Sequence, residues 1–217
     1  MKKLFLCLAN SKKFGDRCIA GIELIKNSGK YKPVIKQGKP KWLRPVSKSN
    51  QGAVSGALVG KFRLMNIIEV DVEEACPDGY QSENITFKEN SIKNIGDIRL
   101  SEKNLDVFID DEQDKLFGNR GKAVSEDDID SVGHSLTLIK VTEFEINRRE
   151  PDGQLRINFE FNNNWYDLPI TDIDFIEKYR ENELLLENKS CLYLTISLGV
   201  YHNGWHSKLI AGVIYCS

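Results

Sequence analysis

The sequence predicts a mainly β protein in two successive halves, and three observations carry that expectation. Apolar and polar residues alternate with a period of two through many of the apolar runs. Clusters of Gly, Asn, Asp and Pro punctuate those runs, as strand–turn–strand architecture requires. Each half also combines several strand-like runs with one interrupting helical stretch and a closing strand pair. A chain of 217 residues accommodates one large domain or two small ones. At 41% hydrophobic and 29% charged residues, it is too apolar to remain disordered.

The elements follow in order. Leu4, Leu6 and Leu8 alternate with Phe5 and Cys7, giving a first strand over Lys3–Asn10. After the polar turn Ser11–Gly15, alternation resumes at Cys18, Ala20, Ile22 and Leu24. A lysine-rich loop follows from Lys26 to Lys41, carrying Gly29, Pro33, Gly38 and Pro40. Trp42-Leu43-Arg44-Pro45-Val46 is extended, because Pro45 disfavours helix at Arg44. Gly52, Gly56 and Gly60 mark a turn-rich stretch before a strand over Phe62–Val72 and a weaker one at Ile85–Phe87.

The middle of the chain changes character. Leu105, Phe108, Ile109 and Leu116 fall at helical spacing within Ser101–Phe117, with Gly118-Asn119 as a stop. Ser125–Asp128 reads as the start of a short helix with a capping box. The second half returns to strands at Leu136–Ile146 and Leu155–Phe161, with Asp152-Gly153 as a hairpin turn. Thr171 and Asp174 form a T-x-x-D capping box, and Ile173, Ile176 and Tyr179 share one face, so a helix is expected at about 172–182. Leu192–His202 and Trp205–Tyr215 form a hairpin about Asn203-Gly204, a type I′ signature.

Five-stranded Greek-key barrels of the OB type have this content, as do split barrels and sandwiches. The reading adopted is two consecutive OB-like Greek-key barrels with short connecting helices. It places a basic N-terminal barrel at 1–105, an acidic helical linker at 106–134 and a C-terminal barrel at 135–217.

Net charge is −2, but its distribution is uneven. Met1–Met65 holds 15 Lys/Arg against Asp16 and Glu23, a balance of +13; the remainder holds 15 Lys/Arg against 30 acids, a balance of −15. Such asymmetry is the electrostatic footprint of a polyanion site. Evenly scattered lysines would instead solvate strand edges. Five cysteines (Cys7, Cys18, Cys76, Cys191 and Cys216) include no C-x-x-C pair, which points to reduced thiols in a cytoplasmic protein rather than to a disulfide framework or a zinc site. The apolar run Leu4–Ala9 is shorter than the roughly 7–15 residues of a secretory h-region, and no run reaches the roughly 18 residues of a membrane span.

Candidate binding residues group in three places. Lys12, Lys13 and Arg17 flank the first turn. Trp42 and Arg44, two apart on an extended segment, share a face that offers a ring for stacking and a guanidinium for phosphate. In the last hairpin a two-residue turn pairs His202 with Trp205 and Tyr201 with His206. Leu192, Leu194, Ile196, Leu198, Val200, Leu209, Ala211 and Val213 then form the core face. The opposite face carries Tyr193, Thr195, Ser197, Tyr201, His206 and Lys208, with Gly199 across from Lys208 leaving room for a phosphate or a second backbone. The same register sends His202 and His206 to opposite faces, which disfavours a metal pair there. Asp110–Glu112 and Glu126–Asp128 are acidic clusters of the kind that helix dipoles favour at helix starts. No G-x-S-x-G, P-loop or G-x-G-x-x-G occurs.

LANSKKFGDRCIAGIE near the start, KWLRPVS at 41–47 and SLG…HSKLIAGVIY at the end resemble the dual OB domain family of bacteria, from Leu8 to Tyr215. The resemblance implies two consecutive OB-like barrels and a part in binding or sensing nucleic acids or nucleotides, often within prokaryotic defence systems. It implies no catalytic residue. The matching positions are Ser11, Lys12, Gly15, Arg17, Cys18, Trp42, Arg44, Pro45, Ser47 and Lys208.

The functional expectation is a non-catalytic, cofactor-free module for single-stranded DNA or RNA. Lys12, Lys13, Arg17, Trp42, Arg44, Ser47 and Lys208 are its candidate contacts. A nucleotide or small-molecule sensor is the alternative. The acidic second half is the candidate surface for a protein effector.

Overall fold

The computed structural model describes residues 1–98, 105–110 and 113–215. The chain divides into two units, Met1–Phe108 and Ile109–Ser217.

In the first unit, β1 (Lys2–Lys13) pairs antiparallel with both β2 (Asp16–Asn27) and β7 (Asn66–Ala75). β2 pairs with β6 (Trp42–Pro45), β6 runs parallel to β8 (Asn84–Phe87), and β8 pairs antiparallel with β7. The ring β1–β2–β6–β8–β7 therefore returns to β1. A twelve-residue β1 makes this closure possible: its early residues pair with β7, and its pairing with β2 continues to the turn. β9 (Lys93–Asp97) adds to the outer edge of β7. The stretch Lys26–Lys41, expected as loop, contains β3 (Lys30–Pro33), which extends β2, and the two-residue pair β4 (Ile35–Lys36) and β5 (Lys39–Pro40). The glycine-rich stretch holds a one-turn helix, α1 (Gly56–Val59).

Phe5, Cys7, Ile19, Leu43, Val59 and Phe62 lie in the core of this barrel. Burying a side chain such as Phe62 contributes roughly 1.5–3 kcal/mol. Asn10 ties α1 down: its amide donates to the carbonyls of Val59 at 3.0 Å and Phe62 at 2.9 Å.

The second unit follows the same circuit. β11 (Leu136–Val141) and β12 (Phe144–Arg149) together play the part of β1. β12 pairs with β13 (Gln154–Phe161), which pairs with β14 (Asn164–Pro169). Just past β14, Ile170 bridges in parallel to Ile210 of β16 (Trp205–Tyr215). β16 pairs with β15 (Leu192–His202), and β15 with β11. In both units the third and fifth strands of the ring are parallel and the others antiparallel, the arrangement of a partly open five-stranded Greek-key barrel.

α2 (Ile173–Glu181) follows β14, as α1 follows β6. Its N-cap is Asp172 rather than Thr171: the Asp172 carboxylate accepts from Phe175 N at 3.1 Å, while the Thr171 hydroxyl donates to Ile210 O at 3.1 Å. Residues 106–134 contain β10 (Ala123–Ser125), which pairs with β16, and a 3-10 turn at Ile129–Ser131 in place of the helix expected from Ser125. Within the helix expected over Ser101–Phe117, residues 101–104 and 111–112 lie outside the described residues. The described remainder holds 3-10 turns at Asp106–Phe108 and Leu116–Gly118. Asp111 and Glu112 of the acidic cluster, and Cys216, also lie outside them.

Candidate nucleic-acid interface

The β1–β2 hairpin places basic residues on both sides of a tight turn. Lys13 pairs with Asp16 across a two-residue turn in which Phe14 and Gly15 adopt φ of 48° and 84°. Two successive positive φ values are what a type I′ turn needs. Glycine meets that requirement freely, whereas Phe14 occupies the left-handed region with its ring 49% exposed. Lys12 pairs directly with Arg17, so two cations sit side by side, a local repulsion that an anion would relieve. Asp16 is engaged elsewhere: its carboxylate accepts from Asn50 Nδ2 at 2.8 Å and from Gly56 N at 3.0 Å, fastening the start of α1 to the hairpin. Arg17 lies along α1, close to Gly56 and Gly60.

Lys13 is half-buried and forms no hydrogen bond or ion pair among the described residues. Burial pushes its ammonium below the ordinary lysine range, and Arg44 pushes it the same way, while Cys18 and Asp78 oppose them. A partly desolvated cation of this kind gains more from an approaching phosphate than a fully hydrated one would.

The remaining sequence candidates are placed differently. Leu43 enters the core, so alternation turns Trp42 and Arg44 outward from the barrel, on the one face that their spacing gives them. Trp42 is half-buried. Arg44, however, is only 2% exposed, because residues 76–83, between β7 and β8, fold over it. Its Nη2 pairs with Glu83 Oε1 at 2.7 Å and its Nε donates to Asn84 Oδ1 at 2.7 Å. Arg44 is thus committed to a buried ion pair, not free to take a phosphate. Ser47 is half-buried, with its hydroxyl 3.0 Å from that of Ser49.

Lys208 in the second unit is fully buried. Its ammonium donates to Asn119 O and Oδ1, both at 2.8 Å, and lies over the Tyr166 ring at 5.3 Å. Two bulges explain the departure from the sequence register. Leu198, not Gly199, faces Lys208, since residues 199–200 together oppose Ser207; Ala211 is a second extra residue. Tyr193, Thr195, Ser197 and His206 on the expected solvent face are likewise buried. His206 binds Glu126 Oε2 at 2.6 Å through Nε2.

Charge counting along the sequence also overstated the free positive surface. Lys3 and Lys41 both pair with Glu23, Lys2 with Glu69, and Lys48 with Glu73. The acids on β7 that balance this barrel lie beyond Met65 and so fell in the other half of the count.

Four exposed aromatic residues were not singled out as contacts. Besides Phe14, they are Trp165 on β14 and Tyr201 and Trp205 at the tip of the β15–β16 hairpin. Alternation could have found Trp165, since Tyr166 and Leu168 point into the core.

A family model for the dual OB-containing domain matches residues 3–213. The chain belongs to this family. No curated protein matches it. Among solved structures, this dual OB-containing chain is similar to the crystal structure of the tetrameric p202 HIN2, at 9% identity and a TM-score of 0.32, covering 100% of this chain and 92% of that one. Likeness at that level carries no argument. Family membership agrees with the repeated ring of strands found in each unit. Among the described residues, no helix is long and apolar enough to cross a membrane.

Proposed function

We propose that this dual OB-containing protein is a non-catalytic cytoplasmic module that binds single-stranded DNA or RNA through the tip of its β1–β2 hairpin. The observation that carries this reading is the exposed Phe14 in the turn, with Lys12 paired to Arg17 on one face of the hairpin and Lys13 on the other. The hairpin is the loop between the first and second strands of an OB ring, one of the loops through which OB folds bind oligonucleotides. A ring for base stacking beside cations for phosphates is the combination that single-strand binding uses. Trp42 is half-buried on β6 beside Ile22, well along β2 from the turn, and Arg44 and Lys208 are left out because they are interior.

The second unit has a different character. Tyr201 and Trp205 stand exposed at a hairpin tip, near the exposed acids Glu126 and Asp127. That mixture suits a basic protein partner better than a phosphate chain, and an effector within a prokaryotic defence system fits it.

The test is a filter-binding panel of ssDNA, dsDNA, ssRNA and dsRNA with the wild type and the Phe14→Ala and Arg17→Ala variants. Tight binding of one single-stranded polymer, weakened in both variants, is the expected result. Equal affinity for all four polymers, unchanged by either substitution, would remove the hairpin from the interface.

A further inference from the structure

A cleft of about 430 Å³ opens on the first barrel between residues 46–49, β7 and β8. Thr86 forms part of its lining. Ile85 and Phe87 on either side of it enter the core, so Thr86 points outward. Its hydroxyl is buried and has no hydrogen-bond partner, and the residue is only 6% exposed. An unsatisfied buried hydroxyl is costly, and such groups are uncommon in a finished fold. Glu73, also in the lining, is the extra residue of a β-bulge: Val72 opposes Phe87 and Glu74 opposes Thr86. Bulges re-aim side chains, and they recur beside functional sites. Ser47 and Ser49 add two more hydroxyls, and Ser47 also reaches Glu89 Oε1 at 3.5 Å. Lys48 and Lys88 complete the charged lining.

We propose that this cleft binds a ribose phosphate. The lining combines two carboxylates, two ammonium groups and three hydroxyls, a set that rejects simpler ligands. A bare anion would meet Glu73 and Glu89, and a neutral apolar molecule would strand the polar groups. A sugar phosphate satisfies both kinds of charge. Its hydroxyls donate to the two carboxylates, its phosphate accepts from the two lysines, and Thr86 gains the partner it lacks. The Lys48–Glu73 pair, at 3.1 Å, and the Lys88–Asp71 pair, at 3.5 Å, are exposed enough to open for a ligand at little cost. A free ribonucleotide and the ribose phosphate of an RNA end share this chemistry. The inference does not rest on the hairpin interface and stands or falls separately from it.

The experiment is calorimetric titration of the full chain with adenosine 5′-monophosphate, its 2′-deoxy counterpart and a short oligoadenylate RNA. Saturable ribonucleotide binding is expected, weaker for the deoxy compound. Thr86→Val, which puts a methyl in place of the hydroxyl, and Glu73→Gln, at an exposed position, are each expected to weaken it by roughly 3- to 10-fold, the range of one hydrogen bond. Lys12→Ala/Arg17→Ala is expected to leave it unchanged. Tighter binding of the oligomer that persists in Lys12→Ala/Arg17→Ala and is weakened by Thr86→Val assigns the site to an RNA end, and tighter binding of the monophosphate assigns it to a free nucleotide. Absence of saturable binding by either ribo-ligand, or binding indifferent to both cleft substitutions, overturns the proposal.

Discussion

Replacing Lys208 by Met should change how stability depends on pH while leaving nucleic-acid affinity untouched. Lys208 is fully buried, and desolvation brings its pKa down to about 7. In the unfolded chain it returns to the ordinary lysine value of 10.5. Because the folded value is the lower one, the unfolded state holds the extra proton between pH 7 and 10.5, and stability rises with pH across that window. Below pH 7 the contribution is flat. The full shift corresponds to about 5 kcal/mol. That is an upper bound, since the two hydrogen bonds to Asn119 and the Tyr166 ring favour the ammonium. Lys208→Met removes the titration and its two hydrogen bonds to Asn119, whose O and Oδ1 still accept from Tyr166 Oη and Gly121 N, a cost of roughly 0.5–1.5 kcal/mol per bond. Urea midpoints for the transition of the second unit, measured between pH 6 and 9, should climb in the wild type and stay nearly level in the variant. Parallel pH profiles for the two proteins would refute the account of Lys208, and so would weaker oligonucleotide binding by the folded variant.

Asp172 should show the opposite dependence: its buried carboxyl has a pKa raised to about 6, so its contribution to stability is largest below about pH 4 and is lost as pH rises to 6. Asp172→Asn should flatten that fall in acid-range denaturation curves, and should cost about 1 kcal/mol at neutral pH by weakening the links to Phe175 N and Val213 N. Arg44→Ala leaves Glu83 buried without its ion-pair partner and should destabilise the first barrel by roughly 3–5 kcal/mol in a thermal or denaturant melt. Phe14→Ala, at an exposed turn, should move stability by less than about 0.5 kcal/mol, yet weaken single-strand binding by roughly 10-fold if the ring stacks on a base.

The parts of the fold that the sequence revealed are those specified locally. The β15–β16 hairpin has the boundaries that Asn203-Gly204 dictates, with Tyr201 opposite His206 and His202 opposite Trp205. α2 is similarly local, displaced by one residue because Asp172 outcompetes Thr171 for the cap. What escaped detection depends on distant parts of the chain. β3 to β5 are short and lysine-rich, so they display no clear apolar period. Alternation set the facing of Arg44 correctly, but residues 76–83 decide its burial, and nothing near Arg44 in sequence encodes that cover. Lys208 was misplaced because two bulges break the period on which the register argument depended. The backbone positions of Lys12, Lys13 and Arg17 beside the turn were legible because a tight turn fixes the pairing from neighbouring residues alone.

The central claim is that the β1–β2 hairpin carries the nucleic-acid contacts, and the salt dependence of single-strand binding tests it most directly. Three phosphate contacts predict a slope of about −2 in log affinity against log salt, or a loss of roughly 20-fold between 50 and 200 mM. The Lys12→Ala/Lys13→Ala/Arg17→Ala variant should bind weakly, with a slope near zero. A salt-independent affinity in the wild type, or an unchanged slope in the triple variant, would contradict the account.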